Sequence, residues 1–470
     1  MTERPGAGHR LGTRPGRTRN RSALSIAIVA ALMMMVPACT ARPPESPGEV
    51  WRSDGYGWIY SLSGDQLQTY EVTEISCLPG QTLDQIGPPS PDGVISFGYK
   101  DIPSRTVRKG PSGQATLHLL GTAADVDLVA LPGLPSACSR QASNDPHTNF
   151  DIFWATFAEN YNSFGRKNVN WAAVRDQYRP MLDNDTDPHE LFGILRAMIE
   201  PLGDNHTSIN GPDDQEFTGL RPGTRELSNR TVRTAVDNHL RALGATQLQS
   251  FAREKIVYAD LPDGRGYLRI SAFAGYRQDD RSYVASSAEL ARTLDTVFTP
   301  QRVATLRSLI IDVRLNSGGD DALGLQVAAR LTDSPYVAFT KQPRNDPRDP
   351  SRHGRPQTVT VTPAAAPRYT GPVSLLISDL TISAGETFVQ AMMGRSPAPA
   401  RIGTTTQGVF SDDMSRRLPN GWTFTLGNEE YVGPDGQNYE GVGIPPTVRT
   451  PVFTAEELDQ NRDSALDATQ

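Results

Sequence analysis

Cysteine is scarce in this chain, and its most apolar run falls short of a membrane-spanning helix. The 470 residues include three cysteines. Two of them, Cys77 and Cys138, lie beyond residue 40, and they are too few and too far apart in sequence for a structural zinc site. In an exported chain such an even pair predicts one disulfide. The apolar run at residues 23–38 has 16 residues, which is short for a transmembrane helix.

The chain also lacks an excess of positive charge. Its formal net charge is −7, from 46 Lys and Arg against 53 Asp and Glu. Six of the arginines and one glutamate lie within residues 1–38, so the remainder of the chain carries −12. Nucleic-acid binding requires a basic surface, and the composition therefore argues against a nucleic-acid partner.

The first 38 residues have the organisation of a signal peptide. Six arginines precede the apolar run, which ends in VPAC at Cys39. Small or β-branched residues directly before a cysteine resemble a bacterial lipobox. The resemblance implies cleavage before Cys39, acylation of that residue, and an exported protein anchored in the cell membrane. Pro37 departs from the usual pattern, so plain secretion and a retained anchor are the alternatives. Residues 39–50, which include RPPESPG, predict a flexible tether.

The pattern of apolar residues changes along the rest of the chain. Residues 51–140 contain short alternating runs such as GWIYSL, broken by Gly, Pro and Asp, which predict a small all-β domain. Residues 150–211 have a helical period and end in the loop GDNHT. Residues 212–455 alternate apolar strands with helices, which predicts an α/β core. Within it, 341–367 is rich in Pro and Arg and is expected to be an exposed excursion, and 456–470 is expected to be a polar tail.

Ser383 follows the apolar strand PVSLLIS and begins a helix in the stretch TISAGETF. Amide N–H groups point outward at a helix N-terminus, where the helix dipole favours negative charge. A hydroxyl there can attack a carbonyl, with the amide of Ala384 helping to hold the oxyanion. Serine is also a favoured helix cap, and the motif alone leaves both roles open.

Two further loops carry residue types suited to the same chemistry. The strand IIDVR ends in NSGG, and the paired Gly318 and Gly319 let the backbone approach a ligand and present free N–H groups. The loop GDNHT places His206 after a helix, and a nucleophilic serine needs a base of near-neutral pKa. A capped tight turn and a structural histidine are the corresponding alternatives.

Together these motifs resemble the tail-specific, or C-terminal-processing, serine peptidases. The matching stretches are FWATFAENY with NWAAVRDQYRPML, GDNHT, IIDVRLNSGG, ISAGETF and GVGIPP, in the family's order over roughly residues 150–449. The resemblance implies a crotonase-like core of ββα units, preceded here by the helical segment and the small β-domain. The charged stretch at 212–260 lacks a glycine-rich carboxylate-binding loop and has a helical pattern, so no PDZ domain is expected there.

The sequence departs from the best-known branch of that family, which uses a Ser–Lys dyad. In the stretch GTTTQGVF the lysine position is occupied by Val409, and no lysine occurs after Lys341. The branch similar to the tricorn core protease and to the repeats of the interphotoreceptor retinol-binding protein uses a histidine from the GDxHT loop instead. An acidic residue near the C-terminus completes that site, and YEGVGIPP matches the pattern at Glu440. A surface or turn glutamate is the alternative.

The resemblance thus implies serine-type peptide hydrolysis through an acyl-enzyme. Ser383 would be the nucleophile, His206 the base and Glu440 the group that orients or balances the base. Ala384 with Gly318 or Gly319 would bind the oxyanion. No metal or organic cofactor is expected, and the substrate would be a peptide or protein. A non-catalytic relative that binds an apolar ligand or an envelope protein is the main alternative; acyl-CoA chemistry is disfavoured for an exported protein.

Lipidation of Cys39 is directly measurable. We expect the mature protein to begin at Cys39 and to carry the added mass of acyl chains, because VPAC ends a signal-type segment. Intact mass spectrometry of protein purified from membranes would detect this. An unmodified N-terminus beyond residue 39 would contradict the prediction.

Overall fold

The structure, a computed structural model, describes residues 48–225, 227 and 229–470. Cys39, the predicted signal peptide and most of the predicted tether lie outside these residues. The end of that tether is an exception. Glu49 and Val50 belong to the first strand of the β-domain, and Val50 is buried, so the folded domain begins earlier than the sequence pattern predicts.

The N-terminal domain is an eight-stranded closed barrel in which sequential strands pair antiparallel and the last strand returns to the first. Alternate side chains point inward, as the period of two requires. Leu67 and Thr69 on one strand, with Ala115 and Leu117 on another, are buried in this way. The strands are β1 Glu49–Ser53, β2 Trp58–Ser63, β3 Gln66–Val72, β4 Cys77–Gln85, β5 Val94–Tyr99, β6 Ile102–Lys109, β7 Ala115–Leu119 and β8 Asp125–Leu131.

The predicted disulfide is present. Cys77, at the start of β4, is bonded to Cys138, which lies in a short helical turn after β8. The bond therefore ties the chain leaving the barrel back to one of the barrel strands. Closing a loop of 61 residues restricts the unfolded chain.

The helical segment contains four α-helices, and the last of them begins at a sequence that favours a helix N-terminus. Asp187 accepts bonds from the amides of His189 and Glu190, and the Glu190 carboxylate accepts the Asp187 amide, an arrangement that the sequence Asp-Pro-His-Glu favours. Buried side chains from these helices and from the barrel interior form one hydrophobic cluster. The barrel is therefore packed against the helices and shares their core. The helices are α1 Pro146–Asn160, α2 Phe164–Lys167, α3 Trp171–Tyr178 and α4 Pro188–Ile199.

The α/β core is built on a seven-stranded sheet in the order β11-β12-β13-β14-β17-β18-β22. Strands β11 to β13 are antiparallel neighbours, and β13, β14, β17, β18 and β22 are parallel. The elements, in chain order, are β9 Ser208–Asn210, β10 Glu216–Thr218, α5 Asn229–Ala242, β11 Gln249–Phe251, β12 Ile256–Asp260, β13 Arg265–Ile270, α6 Tyr283–Val297, α7 Pro300–Thr305, β14 Ser308–Asp312, α8 Asp321–Ala328, β15 Tyr336–Pro343, β16 Gln357–Val361, β17 Val373–Ile377, α9 Ala384–Met393, β18 Ala400–Gly403, β19 Met414–Arg417, β20 Thr423–Leu426, β21 Glu429–Val432, β22 Val448–Arg449, α10 Ala455–Asp459 and α11 Ser464–Asp467.

Both faces of the central sheet are covered, which explains its near-continuous apolar strands. Leu268, Ile311 and Leu375 are direct neighbours across three strands and pack with α6, α8 and α9. Ile310 and Leu376, which point the other way, pack with α5 and α11. The predicted fold class is confirmed: an α/β core preceded by a helical segment and a small all-β domain.

Two segments differ from their sequence-based expectations. Among the described residues of 212–260 the one α-helix is α5, and a short 3-10 turn and the strands β10, β11 and β12 lie around it. The predicted excursion at 341–367 contains the end of β15 and all of β16, which pair antiparallel. Lys341 is buried there because its ammonium is paired with Asp412 and lies 3.1 Å from Glu429. A proline- and arginine-rich composition suggested exposure, but these ion pairs allow the segment to be packed.

The prediction that residues 456–470 form a polar tail is wrong, because this segment is folded and partly buried. Residues 455–467 contain α10 and α11, and Leu466 is buried against the sheet. Asp463 accepts two bonds from the guanidinium of Arg314, at 2.6 and 2.8 Å. Arg314 is fully buried and also binds Asp312. The segment is polar in composition, yet its Asp463 completes the buried charge network of the core.

Two small sheets complete the molecule, β10-β9-β20-β19 and β16-β15-β21. The first of them joins the strand after His206 to the strands after residue 413. None of the described helices is both long enough and apolar enough to cross a membrane.

The Arg314–Asp463 pair is predicted to anchor the C-terminal helix. Asp463→Asn should lower the free energy of unfolding by about 3 kcal/mol, because it removes a partner from a buried guanidinium. Asp467→Asn, on the same helix but in a half-exposed pair with His239, should cost roughly 0–1 kcal/mol. Urea unfolding of the two variants measures the difference, and equal losses would contradict this account.

Candidate active site

Ser383 occupies the turn between β17 and α9 in an unusual backbone conformation. Its φ and ψ are 54° and −122°. Several cap residues whose side chains accept helix amides have an extended backbone: Asp187, for example, has φ −76° and ψ 163°. A non-glycine residue at positive φ is strained. A sharp strand-to-helix turn of this kind is how a nucleophilic serine is presented above a sheet, and this favours the functional role over simple capping.

His206 lies within hydrogen-bond distance of Ser383. Its Nε2 is 3.0 Å from the Ser383 Oγ, although the two residues are 177 positions apart. The loop that carries His206 is fixed by Asp204, whose carboxylate accepts the His206 amide at 2.9 Å and the Tyr161 hydroxyl at 2.7 Å. Thr425 on β20 donates to the His206 carbonyl. The two sequence-predicted residues are therefore brought together by partners on several elements.

The charge around His206 favours its protonated form. Burial lowers the pKa of the imidazole, but the carboxylates of Asp413, Asp204 and Glu440 outweigh it, and the net shift is upward from 6.5. Asp413 is the nearest of these, with Oδ1 3.7 Å from Nε2. Opposite charges at this range stabilise an imidazolium, so the site can hold a proton taken from Ser383.

Glu440 lies near His206 but is not hydrogen-bonded to it. Its Oε2 accepts the Phe410 amide at 2.7 Å, and its Oε1 is 3.6 Å from the Lys167 ammonium. Within the described part of the chain, Oε1 of Glu440 and Nδ1 of His206 are both buried without a hydrogen-bond partner. Burial and the charge of Asp204 raise the pKa of Glu440, while Lys167 opposes the rise. In this geometry Glu440 affects the imidazole through charge rather than through a direct bond.

Glu386 is a site residue that the sequence analysis missed. Its buried carboxylate accepts the amides of Gly408 and Val409 at 2.6 and 2.8 Å, and the Ser383 amide at 3.3 Å. Burial raises its pKa to about 7, and the bonds that it accepts oppose the rise. Glu386 thus links the serine turn to the loop where Val409 replaces the dyad lysine. The sequence signal for this role was the position of Glu386 in SAGETF, three residues after Ser383 at the start of the helix.

The glycine loop approaches the serine closely. A Cβ on Gly318, whose φ is 90°, would lie 2.8 Å from the Ser383 Cβ. The Gly318 amide donates to Asn316 at 2.9 Å. The amides of Gly319 and of Ala384 have no acceptor among the described residues. Gly319 and Ala384 are therefore the available donors for an oxyanion, and Gly318 provides the space.

No described group of three or more His, Cys, Asp or Glu side chains is arranged to hold a metal ion. The expectation that no metal or organic cofactor is needed stays a prediction. Of the predicted site residues, the structure brings Ser383, His206 and Gly318 into contact range. Asn316, Asp413 and Lys167 were not foreseen, since their roles depend on contacts between segments distant in sequence.

Comparison with known proteins identifies the family. Residues 264–450 match Peptidase family S41, and residues 142–200 match the Tricorn protease C1 domain. These matches span the core with Ser383 and much of the helical segment. The chain belongs to the tail-specific peptidase family S41, which is a family of serine peptidases. No curated protein matches the chain.

Solved structures with a similar fold include a putative peptidase from Parabacteroides merdae, with 24% sequence identity and a TM-score of 0.58, covering 70% of this chain and 96% of that one. Mature CPAF complexed with lactacystin has 12% identity and a TM-score of 0.49, covering 69% and 97%. The tricorn protease has 13% identity and a TM-score of 0.43, covering 88% and 45%. Because the identity to the Parabacteroides merdae structure is 24%, that similarity supports the fold alone.

Proposed function

We propose that this protein is an exported serine peptidase that cleaves peptide bonds through an acyl-enzyme, with Ser383 as nucleophile and His206 as base. The observation that carries the proposal is the 3.0 Å approach of His206 Nε2 to the Oγ of a serine held at positive φ. A hydrogen-bonded base activates a serine hydroxyl, which is unreactive at its free pKa.

Each step of the proposed reaction can be assigned to a described group. Ser383 Oγ attacks the peptide carbonyl while its proton passes to His206 Nε2. The amides of Gly319 and Ala384 stabilise the oxyanion. The proton then moves from Nε2 to the leaving amine, which departs and leaves an ester on Ser383. Water, deprotonated by His206, hydrolyses the ester and restores the hydroxyl. Glu440 favours the imidazolium in both halves of the reaction.

Export as a membrane-anchored lipoprotein is part of the proposal. The signal-type segment and VPAC support it, and so does the Cys77–Cys138 bond, since disulfides persist in oxidising compartments. The alternative of secretion without acylation at Cys39 keeps the same chemistry and changes only the anchoring.

Labelling with a fluorophosphonate tests the nucleophile. We expect the wild type to be labelled and Ser383→Ala not to be. His206→Ala should react about 10³-fold more slowly, because the hydroxyl loses its proton acceptor. His189→Ala, which changes an exposed histidine on α4, is the control and should react at the wild-type rate. Absence of wild-type labelling across pH 6–9 would favour the non-catalytic binder.

The pH dependence of labelling tests the base. Because His206 must be neutral to accept a proton and its pKa is raised, the labelling rate should rise with pH and reach half its maximum above about pH 6.5. Glu440→Gln removes one of the charges that raise this pKa, so its midpoint should move to lower pH. Glu456→Gln, which changes an exposed glutamate, should leave the midpoint unchanged. A wild-type midpoint below pH 6, or an upward shift in Glu440→Gln, would contradict the assignment.

A further inference from the structure

The carboxylate of Asp413 lies beside the proposed base. Its Oδ1 is 3.7 Å from the Nε2 of His206, the ring nitrogen that also approaches the Ser383 Oγ at 3.0 Å. Asp204 and Glu440, the other carboxylates whose charge acts on this imidazole, each accept a backbone amide. Asp413 is therefore the carboxylate that faces the nitrogen to which the serine proton would pass.

Asp413 lies on the solvent-accessible side of that nitrogen. Its side chain is 57% exposed, whereas that of His206 is 6% exposed. Among the described residues, the Asp413 carboxylate accepts no hydrogen bond, and its one ion-pair partner is His206. Its oxygens can thus accept bonds from water that enters this part of the site.

The position of Asp413 is fixed by the residues that precede it. The carboxylate of Asp412 is paired with the buried Lys341, and the Asp412 amide donates to Glu429 at 2.7 Å. Ser411 has a φ of 113°, and its hydroxyl accepts the Glu429 amide at 3.3 Å. A non-glycine residue at positive φ persists where its surroundings hold it there. The backbone that leads to Asp413 is therefore held in place on both sides of Ser411.

The distance between Asp413 and His206 fits a shared water molecule. Atoms 3.7 Å apart are beyond hydrogen-bond range, but one water oxygen can lie about 2.8 Å from both of them. Hydrolysis of the acyl-enzyme requires a water within reach of Nε2, because this nitrogen accepts its proton. The ester would be attached to the Ser383 Oγ, 3.0 Å from the same nitrogen. A water bonded to both side chains would therefore lie beside the ester that it attacks.

We propose that Asp413 is a catalytic residue that orients the hydrolytic water in the second half of the reaction. The proposal rests on the peptidase function above and adds a residue to its mechanism. The water oxygen bonds to the ester carbonyl carbon while one of its protons passes to His206 Nε2. Its other hydrogen is donated to the Asp413 carboxylate, which fixes the direction of attack. The tetrahedral intermediate then releases Ser383 Oγ, which takes the proton from Nε2, and the product leaves as a carboxylic acid.

Pre-steady-state hydrolysis of para-nitrophenyl acetate separates the two halves of the reaction. The burst of nitrophenol measures acetylation of Ser383, and the steady rate that follows measures hydrolysis of the acetyl-enzyme. In Asp413→Ala we expect a burst rate close to that of the wild type and a steady rate lower by about 10- to 100-fold, as loss of one hydrogen bond to a charged group produces. Intact mass spectrometry should show the acetyl-enzyme accumulating.

The rates are measured above the pH midpoint of wild-type labelling. Removal of a nearby negative charge lowers the pKa of His206, so the imidazole is then neutral in the variants as well as in the wild type. A difference between the burst and steady rates therefore reports the second half of the reaction and not the protonation of the base.

Asp413→Asn keeps an oxygen that can accept a bond from water, so its steady rate should fall less than that of Asp413→Ala. Asp176→Ala, which removes an exposed aspartate on α3, is the control and should keep both rates. Equal losses in the burst and steady rates of Asp413→Ala would overturn the proposal, because a role through charge or packing alone affects acylation as well. An unchanged steady rate would also overturn it. A wild type that forms no acetyl-enzyme would instead contradict the acyl-enzyme route, so the two failures are distinguishable.

Discussion

The buried carboxylate of Glu386 determines how the elements of the candidate site meet. It accepts the amide of Ser383 on one side and those of Gly408 and Val409 on the other. A residue at positive φ persists where its surroundings hold it there, and this carboxylate is one of the groups that do so. The loop beyond Val409 continues through Phe410, whose amide donates to Glu440, to Asp413. One buried side chain therefore links the turn that carries Ser383 to the loop that contacts Glu440 and carries Asp413.

The site is built on an excess of negative charge around one buried imidazole. Asp204, Asp413 and Glu440 each favour protonated His206, while burial opposes them. In a low-dielectric environment such charges act over longer distances than in water. The arrangement can therefore balance an imidazolium although, among the described residues, no carboxylate is hydrogen-bonded to Nδ1. Lys167 limits the cost by compensating part of the charge on Glu440.

Much of the fold and the central pair of the site could be predicted from the sequence. Apolar strands alternating with helices, the cap at Asp187 and the motifs around Ser383 and His206 are local signals, and local patterns are what a sequence displays. Arg314 with Asp463 and Lys341 with Glu429 could not be predicted, because their burial depends on partners more than 80 residues away. A polar composition predicts exposure unless the partner is known, and this is why the C-terminal helices were expected to be a tail.

His206 and Ser383 belong to different hydrophobic cores. The segment around His206 packs with the barrel and the helices, through Leu202 and Ile209. The segment around Ser383 packs with the central sheet, through Ala384 and Phe388. A chain in which either core is incomplete thus holds the hydroxyl and the imidazole apart. The proposed activity is then conditional on complete folding, because a partly folded chain would not hold Ser383 and His206 within hydrogen-bond distance.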